Sequence, residues 1–295
     1  MANVNYAAEY SRALAQAYPY LSYFPEIWAA NNSDLYKPGL GKTMYIPTLT
    51  TTGAHAANRD QITGTFNRNW DNALQAVSLE MDREWDTLVD PMDIEETNQV
   101  ATIANITRAF NEQQKVPEMD AYAAAKLYSM ATPDTTVLSQ NNCVNTWDTW
   151  LATLTNNRCN LSRVVAYMSA STYKFFKMAS AITRNYSMEA VPVGKKLDLT
   201  RMYASFDGIP IHVVPDPIMK SSFVFTEGWT AASGAKQINV ILVDLDSIAA
   251  PVKYETAMIS EPNAQSKGKY LYYERYYYGM FKLSQRNGVV INAAA

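Results

Sequence analysis

At 295 residues, 48% of them apolar and 18% charged, the chain is long enough to bury a sizeable core and too apolar to be a disordered polymer. A formal charge of −3, with its 25 basic residues spread along the sequence, excludes a protein whose main work is neutralising phosphates, because that work needs a basic stripe. Two cysteines, Cys143 and Cys159, are too few for a disulfide framework, so free buried thiols are expected. No signal peptide or long apolar segment opens the sequence, and a cytosolic origin without a membrane partner is expected.

Residues 1–37 read as an arm with sticky points: a short amphipathic helix from Ala7 to Ala17, then an apolar patch from Leu21 to Trp28. Pro38-Gly39 breaks it. Within 38–90, Lys42 to Thr52 is rich in β-branched residues, and Gln61 to Trp70 and Ala73 to Asp86 return as strand. The patternless small residues from Thr50 to Asn58 mark a tip between them. A long hairpin is predicted, with arms of about ten residues reaching roughly 30 Å. That is too far to be covered by its own domain, so a neighbour must cover it.

From Glu80 the acids fall on every second residue (Glu80, Asp82, Glu84, Asp86), which places them on one strand face, with Leu79, Met81 and Trp85 on the other. Asp90-Pro91 then supplies an N-cap followed by proline at the first helical position. Residues 91–132 are therefore helical: Ile94 to Val116 as a rod of roughly 36 Å, stopped by Pro117, then Glu118 to Met130 at a new angle. Residues 133–250 read as an α/β lobe. It has helices at Asn145–Leu154 and Ser171–Ala181, a buried strand at Arg163–Met168 and an Asp207-Gly208 hairpin. Strands dominate from there on, notably Lys269 to Leu283, where tyrosines crowd between Tyr270 and Tyr278.

Several constellations suggest chemistry and fail on their own terms. Gly41-Lys42-Thr43 looks like part of a phosphate loop, but the required earlier glycine is Tyr36 and a strand follows where a helix should. Carboxylates on one strand face are about 6.6 to 7 Å apart, a separation that suits inverting glycoside hydrolases, and Trp70 and Trp85 could stack on sugars. Four acids in a row, however, form a repulsive ribbon rather than an acid and a base with separated pKa values. The plain alternative is a solvated strand face; the preferred one is an edge that meets basic residues of an adjacent subunit. His55 and His212 lie far apart, neither cysteine has a partner at ligand spacing, and no metal, cofactor or catalytic residue is expected. The tyrosine cluster lacks the interleaved Lys and Arg of a single-strand binding platform beyond Arg275, so it reads as packing for an edge sheet between subunits.

Four stretches together resemble the major capsid proteins of tailed bacteriophages, whose fold is that of the Hong Kong 97 capsid. They are Gly41-Lys42-Thr43-Met44-Tyr45-Ile46-Pro47-Thr48-Leu49, the tract Glu80 to Trp85, the cap Asp90 to Asn98, and Val116-Pro117-Glu118-Met119-Asp120-Ala121-Tyr122. Gln237 to Val243 and Ala250 to Glu255 are similar to the strand and turn by which such chains leave their axial domain. The resemblance implies an α+β fold with an N-terminal arm (1–37), an extended E-loop hairpin (38–90) and a spine helix (91–132). An axial domain (133–250), peripheral strands (251–278) and a C-terminal return to the axial domain (279–295) would complete it.

It also implies self-assembly into hexamers and pentamers of a head shell in the host cytoplasm, around double-stranded DNA held without sequence-specific contacts. A portal, a separate scaffolding protein and cement proteins are the implied partners; the scaffold is expected to be separate because only about three dozen residues precede Pro38. The expected intersubunit contacts are Lys42, Trp70, Glu80, Asp82, Glu84, Trp85, Arg275 and Tyr276. The family's prototype links an E-loop lysine covalently to a neighbour. Here the tip from Thr50 to Phe66 holds no lysine, so a non-covalent shell is expected. An encapsulin-like compartment is the alternative of the same class, and a β-rich carbohydrate-binding or hydrolytic protein the alternative from another.

Overall fold

In a computed structural model, residues 21–29, 37–38, 43–54, 69–96, 103–179, 204–284 and 286–294 are described. The amphipathic helix expected at Ala7–Ala17, residues 55–58 of the hairpin tip and residues 61–68 of the strand expected to return from it lie outside them. The apolar patch does not belong to a free arm. It forms helix α1 (Pro25–Ala29), whose neighbour Phe24 and own Ile27 are wholly buried against the same chain. Two such side chains recover more free energy by entering the core than by waiting for a partner.

Strand β1 (Lys37–Pro38) pairs with β2 (Thr43–Thr51), which pairs in turn with β3 (Trp70–Ser78) from Thr43↔Ser78 to Thr51↔Trp70. The single strand expected from Ala73 to Asp86 is two. β4 (Met81–Val89) leaves the hairpin and joins another sheet, because Leu79 turns into a core with Met44, Ile46, Phe281 and Leu283. The turn has no room for a larger residue opposite: a Cβ on Gly279 would meet Leu79 Cδ2 at 2.9 Å.

As the cap predicts, Asp90 Oδ1 accepts from the Met92 amide (3.1 Å) and α2 (Pro91–Glu96) begins there. Further on, α3 (Ile103–Phe110), a π-helical turn (Asn111–Lys115) and α4 (Val116–Met130) run on without a break. Pro117 therefore does not end the helix. Proline removes the bond to the fourth preceding carbonyl and clashes with it. The wider π register relieves the fault, and the Val116 amide donates to Asn111 O instead. The helix is roughly 40 Å long at α-helical rise.

The C-terminal half opens with α5 (Cys143–Asn156), β5 (Val164–Ser169), α6 (Ala170–Met178), β6 (Ala204–Phe206) and β7 (Ile209–Val214). The short β8 (Phe223–Val224) and β9 (Thr230–Ala231) precede β10 (Ile238–Asp244) and β11 (Ile248–Ala249). Then come β12 (Val252–Ser260), β13 (Tyr270–Tyr278), β14 (Phe281–Lys282) and β15 (Val289–Ala293).

One sheet has the order β15-β10-β5-β7-β6, parallel only between β5 and β7. Its two faces are covered by different layers. Val164, Ala166 and Met168 pack on α5 and α6 with Trp147 and Phe176, while Val165 and Tyr167 pack with Phe24, Ala124 and Leu127 on the other side. Every residue of β5 is consequently buried. The hairpin between β6 and β7 turns at Asp207 (φ 53°) and Gly208 (φ 77°), the positive pair that a two-residue loop of its kind needs.

A second sheet has the order β12-β13-β4. The tyrosine strand β13 is its centre rather than an edge, and it stops at Gly279 instead of running on to Leu283. Tyr272, Glu274, Tyr276 and Tyr278 alternate inward toward the long helix. Both cysteines are free, Cys143 buried and Cys159 half-buried.

Candidate assembly surfaces

The hairpin is anchored at its base, and its described residues beyond the base are exposed. Register places Tyr45, Pro47 and Leu49 of β2 opposite Ala76, Leu74 and Asn72 of β3, all on one face. Leu74 is 63% exposed, Leu49 59% and Trp70 51%, whereas Met44 and Ile46 on the opposite face at the base are buried. An apolar row on a two-sided hairpin has no reason to persist in a monomer.

The acidic strand face is answered partly from within the chain. Glu80 sits at the turn between β3 and β4, ion-paired with Lys126 and 3.4 Å from the Tyr122 hydroxyl. Asp82 accepts two bonds from Arg275, Nε to Oδ1 at 3.1 Å and Nη2 to Oδ2 at 2.9 Å. The Asp82 bonds push the Arg275 pKa up, and its guanidinium also lies over the Tyr277 ring. Glu84 accepts from the Tyr273 hydroxyl at 3.3 Å. Among the described residues, Glu84 and Asp86 have no ion-pair partner. The acids that need an outside cation are therefore fewer than the sequence suggests.

Of the remaining expected contacts, Trp70 is half-exposed and Lys42 lies outside the described residues. Trp85 stacks on Phe110 of α3 with centroids 4.0 Å apart and planes 6° apart. Tyr276 is only 3% exposed, stacked on Tyr278 with Lys115 Nζ 4.4 Å above its ring. That is a correction: β13 is covered by β4 on one side and β12 on the other, so alternate tyrosines face the helix of their own chain, and Tyr276 has no surface left for a neighbour.

Sequence reasoning missed a line of buried charge beneath that strand. Glu118 accepts from Arg83 Nη2 (2.7 Å) and the Tyr278 hydroxyl (3.1 Å), while Arg83 Nη1 donates to Phe225 O (2.6 Å). Burial pushes the Glu118 carboxyl up, against the opposing pull of Arg83, and burial beside Glu118 pushes the Tyr278 hydroxyl up as well. Glu274 binds Lys115 and accepts from the Tyr272 hydroxyl (2.9 Å). The wholly buried Asp120 holds the N-terminal segment through Ser22 Oγ (2.8 Å) and the Tyr23 amide (2.6 Å). Glu118 and Asp120 lie two apart in a run of small and apolar residues, a signal that became legible only with their partners in place. These groups tie helix to sheet; they do not converge on a cleft. Among the described residues no cluster of three metal-ligating side chains occurs, and no helix is long and apolar enough to cross a membrane.

No protein-family model and no curated protein matches the sequence. Solved structures do match in fold. The capsid of cyanophage P-SCSP1u is 11% identical with a TM-score of 0.62, over 97% of this chain and 91% of that one. The mature capsid of bacteriophage PhiM1 is 9% identical with a TM-score of 0.60, over 85% and 82%. The capsid of cyanophage A-1(L) is 11% identical with a TM-score of 0.53, over 98% and 96%. The chain has the α+β fold of the Hong Kong 97 capsid.

Proposed function

We propose that this chain is the major capsid protein of a tailed phage, which assembles into the icosahedral head shell enclosing the genome. The observation that carries the reading is the β2–β3 hairpin, whose apolar side chains Tyr45, Leu49 and Leu74 share one face and are 39%, 59% and 63% exposed. The likeness in fold to capsids that are themselves assembled shells supports it.

In this reading the five-stranded sheet with α5 and α6 is the axial domain, and the long helix with β12, β13 and β4 is the peripheral one. The hairpin is the E-loop, laid over the next copy. Each contact is modest, but closure of the shell multiplies them, so weak pairwise affinity gives a durable container. The work is structural, without catalysis. Portal, separate scaffold and cement proteins would complete the head, and the contacts would remain non-covalent.

The test is expression followed by negative-stain microscopy, alone and with deletion of residues 52–61. Closed particles from the full chain and a folded, unassembled product from the deletion are expected; a monomer from the full chain under all salts would refute the proposal. Boiled in detergent, particles should run as a single band near 33 kDa, and a ladder of multimers would refute the non-covalent part.

A further inference from the structure

Helix α6 has one face in the core and one that is exposed and packed on no other described element. Thr172 and Phe176 point inward, while Lys174, Phe175, Lys177 and Met178 stand in solvent, Met178 54% exposed. Two cations flank two apolar side chains there, and an apolar pair held in water by lysines is a surface suited to an acidic, partly apolar partner.

The outer face of the β12-β13-β4 sheet has the opposite character. Glu84, Asp86 and Leu88 project from β4, and register sets Met258 of β12 in the same cross-strand row as Asp86, with Tyr273 between them. Leu88 is 57% and Met258 60% exposed. The sequence around each face has the same sign as the face itself. Residues 71–96 contain nine acidic residues and one basic, while residues 158–179 contain four basic and none acidic. A chain close to neutral overall is thus divided into blocks of opposite sign, which is how copies of one molecule attract each other head to tail.

We propose that the α6 face of one copy docks on the outer sheet face of a second copy, with Lys174 and Lys177 meeting Glu84 and Asp86 around Phe175, Met178, Leu88 and Met258. This rests on the shell-forming reading and names one of its contacts. The contact is heterologous, so it closes a ring or shell rather than a two-fold dimer. It also brings cations to Glu84 and Asp86, which have no ion pair among the described residues, Arg275 opposite Glu84 being bonded to Asp82.

The experiment is a charge swap in the full chain. Lys174→Glu with Lys177→Glu should fold and melt like the unaltered protein, because both side chains are exposed. Its particle yield at about 0.15 M salt should nevertheless fall by about tenfold or more, since like charges brought face to face suppress association. Adding Glu84→Lys and Asp86→Lys to the same chain should restore the yield. A zero-length carbodiimide should couple Lys174 or Lys177 of one isotopically labelled copy to Glu84 or Asp86 of an unlabelled one. Normal assembly of the first variant, or a swap that restores nothing while the unaltered chain still forms particles, overturns the pairing alone. Failure of the unaltered chain to associate overturns the shell reading and the pairing together.

Discussion

Strand β10 has seven residues and β3 has nine, and both carry leucine on a face that should be buried; yet Leu242 is wholly enclosed while Leu74 is 63% exposed. The difference lies in what each strand was given to lie against. β10 is paired on both edges, with α5 and α6 over one face and α1 and α4 over the other. Among the described residues β3 is paired on one edge and meets the core where Val77 packs on Leu79 and Met44. Burial within the chain sets folding free energy, and apolar area left open is available only to association. One region should therefore answer to melting experiments and the other to assembly experiments.

The largest effect on melting is expected in the five-stranded half. Trp147 is wholly buried, edge-on to Phe206 at 5.5 Å and Phe176 at 5.9 Å, and its indole N–H donates to Asp207 Oδ2 at 3.1 Å. Trp147→Ala leaves a cavity and should cost about 3–5 kcal/mol in chemical denaturation, with Asp207, which is exposed, left to water. A loss below about 1 kcal/mol would mean that this half is not the folding core.

Next comes the charge buried between helix and sheet. Arg83→Met removes the cation facing Glu118 and should cost roughly 3 kcal/mol at neutral pH, the lower end for breaking a buried pair. Burial already raises the Glu118 pKa. A raised carboxyl favours folding below its unfolded value and loses that contribution as pH rises through the folded one. The deficit of Arg83→Met should thus shrink as the solution is made acidic, read from melts at several pH values. A deficit independent of pH would assign the loss to packing of the arginine stem instead.

These two cases mark what the sequence makes legible. Period-two and helical patterns locate β2, β5, β7, α5 and α6 to within a few residues, because their faces are buried by neighbours that any such lobe supplies, whereas β10 is located by the resemblance. The Asp90-Pro91 cap and the Asp207-Gly208 turn are equally local. The breaks at Leu79 and Gly279 are not: each exists only because the other approaches to within contact distance across two hundred residues. Pro117 misleads for a related reason, since a proline that stops an isolated helix is tolerated when a π turn and tertiary packing share its cost. The acidic face was read correctly as a pattern, but Arg275 and Lys126, which partly neutralise it, come from distant segments.

A smaller effect is expected at the link between the two halves. Asp134 pairs with Asn292 beside β15 and accepts from the Thr136 amide (2.9 Å), the Thr136 hydroxyl (2.6 Å) and the Trp150 indole (2.9 Å). Burial pushes this carboxyl up, but those bonds outweigh it and hold the pKa below the ordinary value. A depressed carboxyl stabilises above its unfolded pKa and ceases to as pH falls through the folded one. The contribution should fade below the ordinary aspartate value of about 3.9. Asp134→Asn should cost about 1–2 kcal/mol at neutral pH, and its deficit should narrow in that acidic window. An unchanged melting curve would show that the linker is held by backbone pairing alone.

The smallest effect on folding is expected where the effect on assembly is greatest. Leu49 and Leu74 lie on the bare face of the hairpin, one cross-strand row apart, where Leu74 faces Pro47 and Leu49 faces Asn72. Replacing both by serine removes no buried contact, so the subunit should keep its stability to within about 0.5 kcal/mol. The same change strips the hairpin of the apolar area that a neighbouring copy would cover, and each lost leucine would be counted once per copy around a closed shell. Sedimentation should then show folded subunits in place of particles, with the far-ultraviolet spectrum unchanged. A parallel loss of both folding and assembly would place these leucines against their own chain, and the division between a region that folds and a region that assembles would not hold.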